Sequence, residues 1–288
     1  MLQKNSPIIT ATELLALYET TAIVLVDATN AKNAQASYQE KHLKSALFVD
    51  LNTQLASYNN DIAIGGRHPL PSPEQFAATL FSLGITKTSH VVIYDNNNGA
   101  NAAARFWWLL KSVGHQKVQV LNGGMKEAEK IGFPISNAQE ATPSQNITPY
   151  TFDNWLLPVA TFEEVVAASQ NPLENIIIDV RAADRYNGIN EPLDAVAGHI
   201  PNAINVPFST NLDQEGLFLQ PSELQAKYKQ VFTMTNPKNI IVHCGSGVTA
   251  CHTLLAMAYA GLAIPKLYVG SWSEWSRSKQ PIVTQEKL

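Results

Sequence analysis

The second half of this chain restates the first. Thr10-Ala-Thr-Glu13 opens an apolar run, LLALY, and Thr161-Phe-Glu-Glu164 opens another, VVAA. In both, a hydroxyl and a carboxylate three residues apart are placed to satisfy the free amides of a helix start. Strand-like runs ending on an acid come next, AIVLVDA with Asp27 and NIIIDVR with Asp179. KHLKSALFVDL around His42 then answers GHIPNAINVPF around His199, and Ser72-Pro-Glu-Gln75 answers Ser222-Glu-Leu-Gln225 as a helix start. HVVIYDNNNGANAAARFWWLL matches NIIVHCGSGVTACHTLLAM, and VQVLNGGMKEAEK matches PKLYVGSWSEWSR. Thr10 and Thr161, Ser72 and Ser222, Asp95 and Cys244 are each about 150 residues apart, a period that marks a duplicated domain rather than a short solenoid repeat.

Each half alternates short β-branched runs with helical stretches, which predicts parallel strands joined by crossover helices. The expected fold is therefore α/β, two tandem domains, each a parallel sheet flanked by helices. The stretch NAQEATPSQNITPYTFDN, residues 137 to 154, has no apolar period and is rich in Asn, Gln, Thr, Ser and Pro. It sets the expected boundaries: a first domain over 1–140, a linker over 141–156 that wraps rather than dangles, and a second domain over 157–288.

Composition narrows the function classes. A net charge of −4, with no Lys/Arg stripe, argues against a nucleic-acid partner. No apolar run approaches the roughly 18 residues that cross a membrane, and the N-terminus lacks a signal-peptide pattern. Cys244 and Cys251 are the sole cysteines and are poorly spaced to bridge, so a reducing, cytoplasmic setting is expected. His243 and His252 flank them, but neither a Cys-x-x-Cys nor a second ligand cluster is present, and no metal or cofactor is expected.

The chemistry concentrates in IIVHCGSGVTACH, residues 240 to 252. In a parallel sheet, ligands gather beyond the carboxyl ends of the strands, where this run delivers Cys244. Gly245 and Gly247 allow the chain to curl tightly, aiming backbone N–H groups inward at a helix N-terminus. Such a cradle favours an anion, whether a thiolate, a persulfide or an oxyanion on a substrate. The first half has Asp95 where the second has Cys244, which predicts one active site per chain.

In these motifs the chain resembles the rhodanese (sulfurtransferase) superfamily in its two-domain form, over nearly its whole length. The loop Cys244-Gly-Ser-Gly-Val-Thr-Ala250 is similar to the signature of the 3-mercaptopyruvate sulfurtransferase branch, whereas the thiosulfate branch carries two basic residues after the cysteine. GHIPNAINVPF and Gly270-Ser-Trp-Ser-Glu-Trp275 are family-like too. The resemblance implies a ping-pong transfer: Cys244 takes sulfur from a small-molecule donor, 3-mercaptopyruvate or thiosulfate, as a persulfide. Cyanide, a small thiol or a thioredoxin-like protein then accepts it. It implies that Ser246 works with a first-domain histidine, which falls on His42, and that Arg185 holds the donor's anionic group. Gly245, Gly247, Val248 and Thr249 complete the substrate loop, with Ser246 and Thr249 donating hydrogen bonds within it.

Two departures from the family pattern stand out. Leu193, in Glu191-Pro-Leu-Asp-Ala-Val196, occupies the place of a second clamping arginine, a loss of about 1.5–3 kcal/mol unless another cation substitutes. The acid that partners the first-domain histidine in some members aligns with Asn33. Two alternatives stay open: a thiosulfate donor, and a non-catalytic sulfur-carrier or interaction module. A cysteine phosphatase is set aside, because the arginine its loop needs falls on Ala250.

Overall fold

The computed structural model describes residues 6–141, 148–232 and 236–284. Two compact units result: one of Met1–Ser57, Pro71–Leu156 and Gln214–Phe218, the other of Tyr58–Leu70, Leu157–Asp213 and Leu219–Leu288. The expected division into two uninterrupted halves is thus corrected at two short segments. Residues 58–70 belong with the second sheet and 214–218 with the first. The two segments hold equivalent places in the duplication, Gly66 answering Gly216.

In the first unit the strands are β1 (Ile8–Ile9), β2 (Val24–Asp27), β3 (His42–Leu43), β4 (Ala46–Phe48), β5 (Val91–Tyr94), β6 (Val118–Leu121) and β7 (Ile135–Ser136). Five of them form a parallel sheet in the order β4-β2-β5-β6-β1, and β3 pairs antiparallel with β7. In the second unit β8 (Val159–Ala160), β9 (Ile176–Asp179), β10 (Ala203–Asn205), β11 (Ile240–His243) and β12 (Lys266–Tyr268) form a parallel sheet, β10-β9-β11-β12-β8. The two orders are the same when read by equivalent strands, as duplication requires. The central strands VVIY and IIVH are buried throughout, which is why they are continuous apolar runs rather than alternating ones.

The helix starts obey local chemistry. Thr10 and Thr161 each accept the N–H three residues on, while Glu13 and Glu164 accept the cap residue's own N–H. Ser72 caps Pro73–Ser82 in the same sense, with proline in the first turn. The helix expected at Ser222 begins at Pro221, since proline's fixed φ suits the first helical position, and Glu223 accepts the Gln220 N–H at 2.9 Å.

Part of the expected linker, residues 142–147, lies outside the described residues. Residues 150–156 pack onto the first unit, to which they belong. The Trp155 ring lies 5.6 Å from Phe76 and 6.4 Å from Trp108, and Phe152 lies 6.0 Å from Phe76. Aromatic packing is what fixes these residues against the first unit. Among the described residues no helix is long and apolar enough to cross a membrane.

Candidate active site

Asp95 and Cys244 end equivalent central strands, and the Asp95 loop reveals what the turn is built to hold. Its carboxylate is buried and accepts N–H groups from Asn97 (2.8 Å), Gly99 (2.8 Å), Asn101 (3.2 Å) and Ala103 (3.3 Å). Burial pushes the Asp95 pKa up, and these four bonds work against that push. The first unit therefore carries a main-chain anion cradle filled by its own side chain.

Counting from the strand end, Ser246, Val248 and Ala250 stand where Asn97, Gly99 and Asn101 stand. Among the described residues no acceptor in the chain takes their N–H groups. Asn98 and Gly247 are also equivalent, and both take left-handed φ, 56° and 71°. A Cβ on Gly247 would come within 2.5 Å of the Val269 carbonyl, so this turn admits only glycine. The second unit thus repeats this turn, with a buried free thiol at the strand end and, among the described residues, these three N–H groups unpaired.

Residues 268–273 brace the loop from behind. The Cys244 N–H donates to Ser271 Oγ (3.2 Å), which donates to the Tyr268 carbonyl (2.8 Å). The N–H groups of Trp272 and Ser273 donate to the carbonyls of Cys244 (3.0 Å) and Gly245 (2.9 Å). Trp272, fully buried, donates Nε1–H to Val196 O at 2.9 Å and stacks under the Arg181 guanidinium at 4.6 Å. Arg181 is in turn spent on Asp179 and Glu191. Cys251 is also buried, its Sγ 3.4 Å from the Gly247 carbonyl one helical turn below the loop.

The histidine at Ser246 is His68: its Nδ1 lies 2.8 Å from Ser246 Oγ. His42, expected in that role, is engaged within the first unit. Its Nδ1 bonds the Tyr38 carbonyl at 2.6 Å, its Nε2 lies 3.2 Å from Glu140, and its ring stacks on Tyr38 at 4.1 Å. The acid beside it is Glu140, not Asn33. His199 does the same in the second unit, with Nδ1 2.8 Å from the Tyr186 carbonyl and its ring stacked on Tyr186 at 3.7 Å. Both tyrosines then donate to a strand carbonyl, Ala46 and Ala203. This pairing is a duplicated structural clasp, and it corrects the assignment of His42. Asp27 and Asp179 are a second symmetric pair, each accepting the N–H two residues on.

Thr249 also departs from expectation. It stands at the N-cap of Ala250–Tyr259 with φ −66° and ψ −23° and makes no side-chain cap bond. A capping hydroxyl needs extended backbone, which this helical conformation denies it.

Arg185 lies in Ala183–Tyr186 and reaches the loop: a Cβ on Gly245 would lie 3.4 Å from its Nη2 and 3.5 Å from its Nη1. The same point is 3.2 Å from Nη2 of Arg67, which the sequence had not singled out. Arg185 is held by Glu191, and Arg67 by the buried Asp194, which Arg277 also pairs at 2.8 Å. Leu193, where the family pattern expects a cation, is 62% exposed.

Arg67 and His68 belong to Gly65-Gly-Arg-His-Pro69. Gly65 and Gly66 take φ of 79° and 76°, and a Cβ on Gly66 would meet the Gly270 carbonyl at 2.3 Å. The Gly65 N–H donates to Glu274 (2.6 Å) and the Arg67 N–H to Ser273 Oγ (3.1 Å). The available signal was a glycine pair succeeded at once by two cationic-capable side chains and a proline.

A family model for the rhodanese-like domain matches residues 10–130 and again 161–278. The chain belongs to the rhodanese-like family, as a two-domain member. It is 36% identical to a probable 3-mercaptopyruvate sulfurtransferase of Pseudomonas aeruginosa, over 86% of each chain. It is 34% identical to a putative thiosulfate sulfurtransferase of Mycobacterium tuberculosis, over 96% of each. Among solved structures, the 3-mercaptopyruvate sulfurtransferase of Leishmania major aligns with a TM-score of 0.81 at 27% identity, covering 95% of this chain and 75% of that one.

Proposed function

We propose that this chain is a sulfurtransferase that moves sulfane sulfur from 3-mercaptopyruvate to a thiol or cyanide through a persulfide on Cys244. The observation that carries this is the free cradle: Ser246, Val248 and Ala250 present N–H groups around a thiol position where the sister loop stabilises a carboxylate. The Cys244 thiolate attacks the donor sulfur, an S–S bond forms, and the donor's C–S bond breaks with its electron pair going to carbon. The resulting pyruvate enolate takes up a proton, for which Ser246 and His68 form the adjacent hydrogen-bonded pair. A nucleophile such as cyanide then removes the outer sulfur and restores the thiolate. Both steps are redox-neutral and need no cofactor.

Arg185 supplies a fork for the donor's anionic group. The acceptor is a small thiol, cyanide or a thioredoxin-like protein. The two free cysteines suit a reducing compartment such as the cytoplasm. The absence of basic residues after Cys244 favours mercaptopyruvate over thiosulfate. Thiosulfate is the second reading, favoured by Leu193 and by the relative named for that donor.

Mass spectrometry after exposure to mercaptopyruvate tests the reading, with about +32 Da expected on Cys244 and none in Cys244→Ser. An unmodified wild-type chain without turnover points instead to a non-catalytic sulfur-carrier or interaction module. Comparing kcat/KM for the two donors, with cyanide as acceptor, decides the branch.

A further inference from the structure

We infer that Arg67 is the second arm of the donor clamp, and that it replaces the cation missing at Leu193. This rests on the reading of Cys244 as the sulfur-carrying residue and names the group that selects its donor. Arg67 spends Nη1 on Asp194, and its Nη2 takes no acceptor among the described residues. Arg185 spends Nε and Nη2 on Glu191, leaving Nη1 free. These two unspent nitrogens lie 3.2 and 3.5 Å from one point, the place a Cβ on Gly245 would occupy. Two donors from two separate guanidinium groups thus converge beside the nucleophile, spaced for the two oxygens of one carboxylate.

The arms are fixed yet reachable. Their side chains are 20% and 17% exposed, while the acids behind them, Asp194 and Glu191, are 0% and 3% exposed. Arg67, Arg181, Arg185 and Arg277 face three carboxylates, Asp179, Glu191 and Asp194, which leaves one positive charge, the complement of a single carboxylate. Gly245 is not at positive φ, so the need for glycine there is space: the missing side chain is where the carboxylate sits. A 2-oxo acid bearing its thiol on C3 fits this arrangement, with the carboxylate in the clamp and the sulfur toward Cys244.

Pyruvate binding, measured by titration calorimetry on the full chain, tests the clamp without relying on sulfur transfer. Arg67→Met is expected to weaken pyruvate binding, and to raise KM for mercaptopyruvate, by about 10-fold or more, with kcat changed far less. Leu193→Arg added to Arg67→Met is expected to regain most of that loss. Gly245→Ala keeps every charge and is expected to weaken pyruvate binding by itself. Unchanged pyruvate affinity in both Arg67→Met and Gly245→Ala overturns the inference, as does a fall in kcat with KM and pyruvate affinity intact. A wild-type chain that binds pyruvate in this Arg67-dependent way, yet gains no sulfur on Cys244, refutes the proposed function and leaves the clamp standing.

Discussion

His68 Nδ1 and Ser246 Oγ lie 2.8 Å apart although 178 residues separate them in the chain. In the proposed reaction, a hydroxyl two residues past Cys244, backed by an imidazole, would move a proton as the donor's C–S bond breaks. Ser246→Ala and His68→Gln are each expected to lower kcat/KM for mercaptopyruvate by about 100-fold, and the double variant by little more than either alone. Additive losses would show that the two act separately.

His42 gives the contrasting expectation. Both its ring nitrogens are engaged and its side chain is wholly buried. His42→Ala is expected to destabilise the fold by about 2–3 kcal/mol in urea unfolding, leaving kcat per folded molecule unchanged. A catalytic defect at full stability would restore His42 to the mechanism.

The Asp95 cradle predicts a stability effect without a direct catalytic one. Asp95→Ala orphans four N–H groups, of which those of Gly99 and Ala103 are buried and cost about 1–3 kcal/mol each unless water enters. The first unit is expected to lose at least about 2 kcal/mol, read as a lowered midpoint in denaturant. An unchanged midpoint would refute the cradle.

Gly247→Ala meets two obstacles at once, a φ of 71° and the Val269 carbonyl 2.5 Å from the new methyl. It is expected to cost more than about 2 kcal/mol and to abolish persulfide formation, because relief of the clash has to move the loop that aims the N–H groups. Persulfide at the wild-type rate would show that the loop geometry is dispensable.

His252 sets a pH dependence. Burial pushes its pKa down from 6.5 to about 3, so the folded protein keeps it neutral while the unfolded chain protonates. The unfolded state binds the extra proton below pH 6.5, so stability falls as pH drops from there toward about 3, by about 1.4 kcal/mol per pH unit from this group. His252→Phe is expected to flatten that limb in unfolding titrations from pH 7 to 4. A parallel pH profile would contradict the assignment.

Much of this was legible beforehand because it is local or periodic. The Thr10 and Thr161 caps, the buried runs VVIY and IIVH, and the thiol at the end of the latter come from residue type and spacing over a few positions. The duplication added the rest of the topology, since whatever sheet one half adopts the other repeats. The same symmetry put His42 and His199 in equivalent places, and their matching stacks on Tyr38 and Tyr186 are what the fold added.

Sequence by itself determined the two parallel sheets, the glycine-rich turn and the placement of Cys244, because hydrogen-bond ladders, apolar burial and left-handed turns leave a signature within a few residues. Which histidine meets Ser246, and which cations stand beside Gly245, only the tertiary structure decided. Residues 58–70 carry no apolar period, and their position is set by contacts to Ser273, Glu274 and Asp194, more than a hundred residues away along the chain. Long-range packing of an aperiodic segment has no local pattern to announce it, so Arg67 and His68 became visible only once the chain had folded.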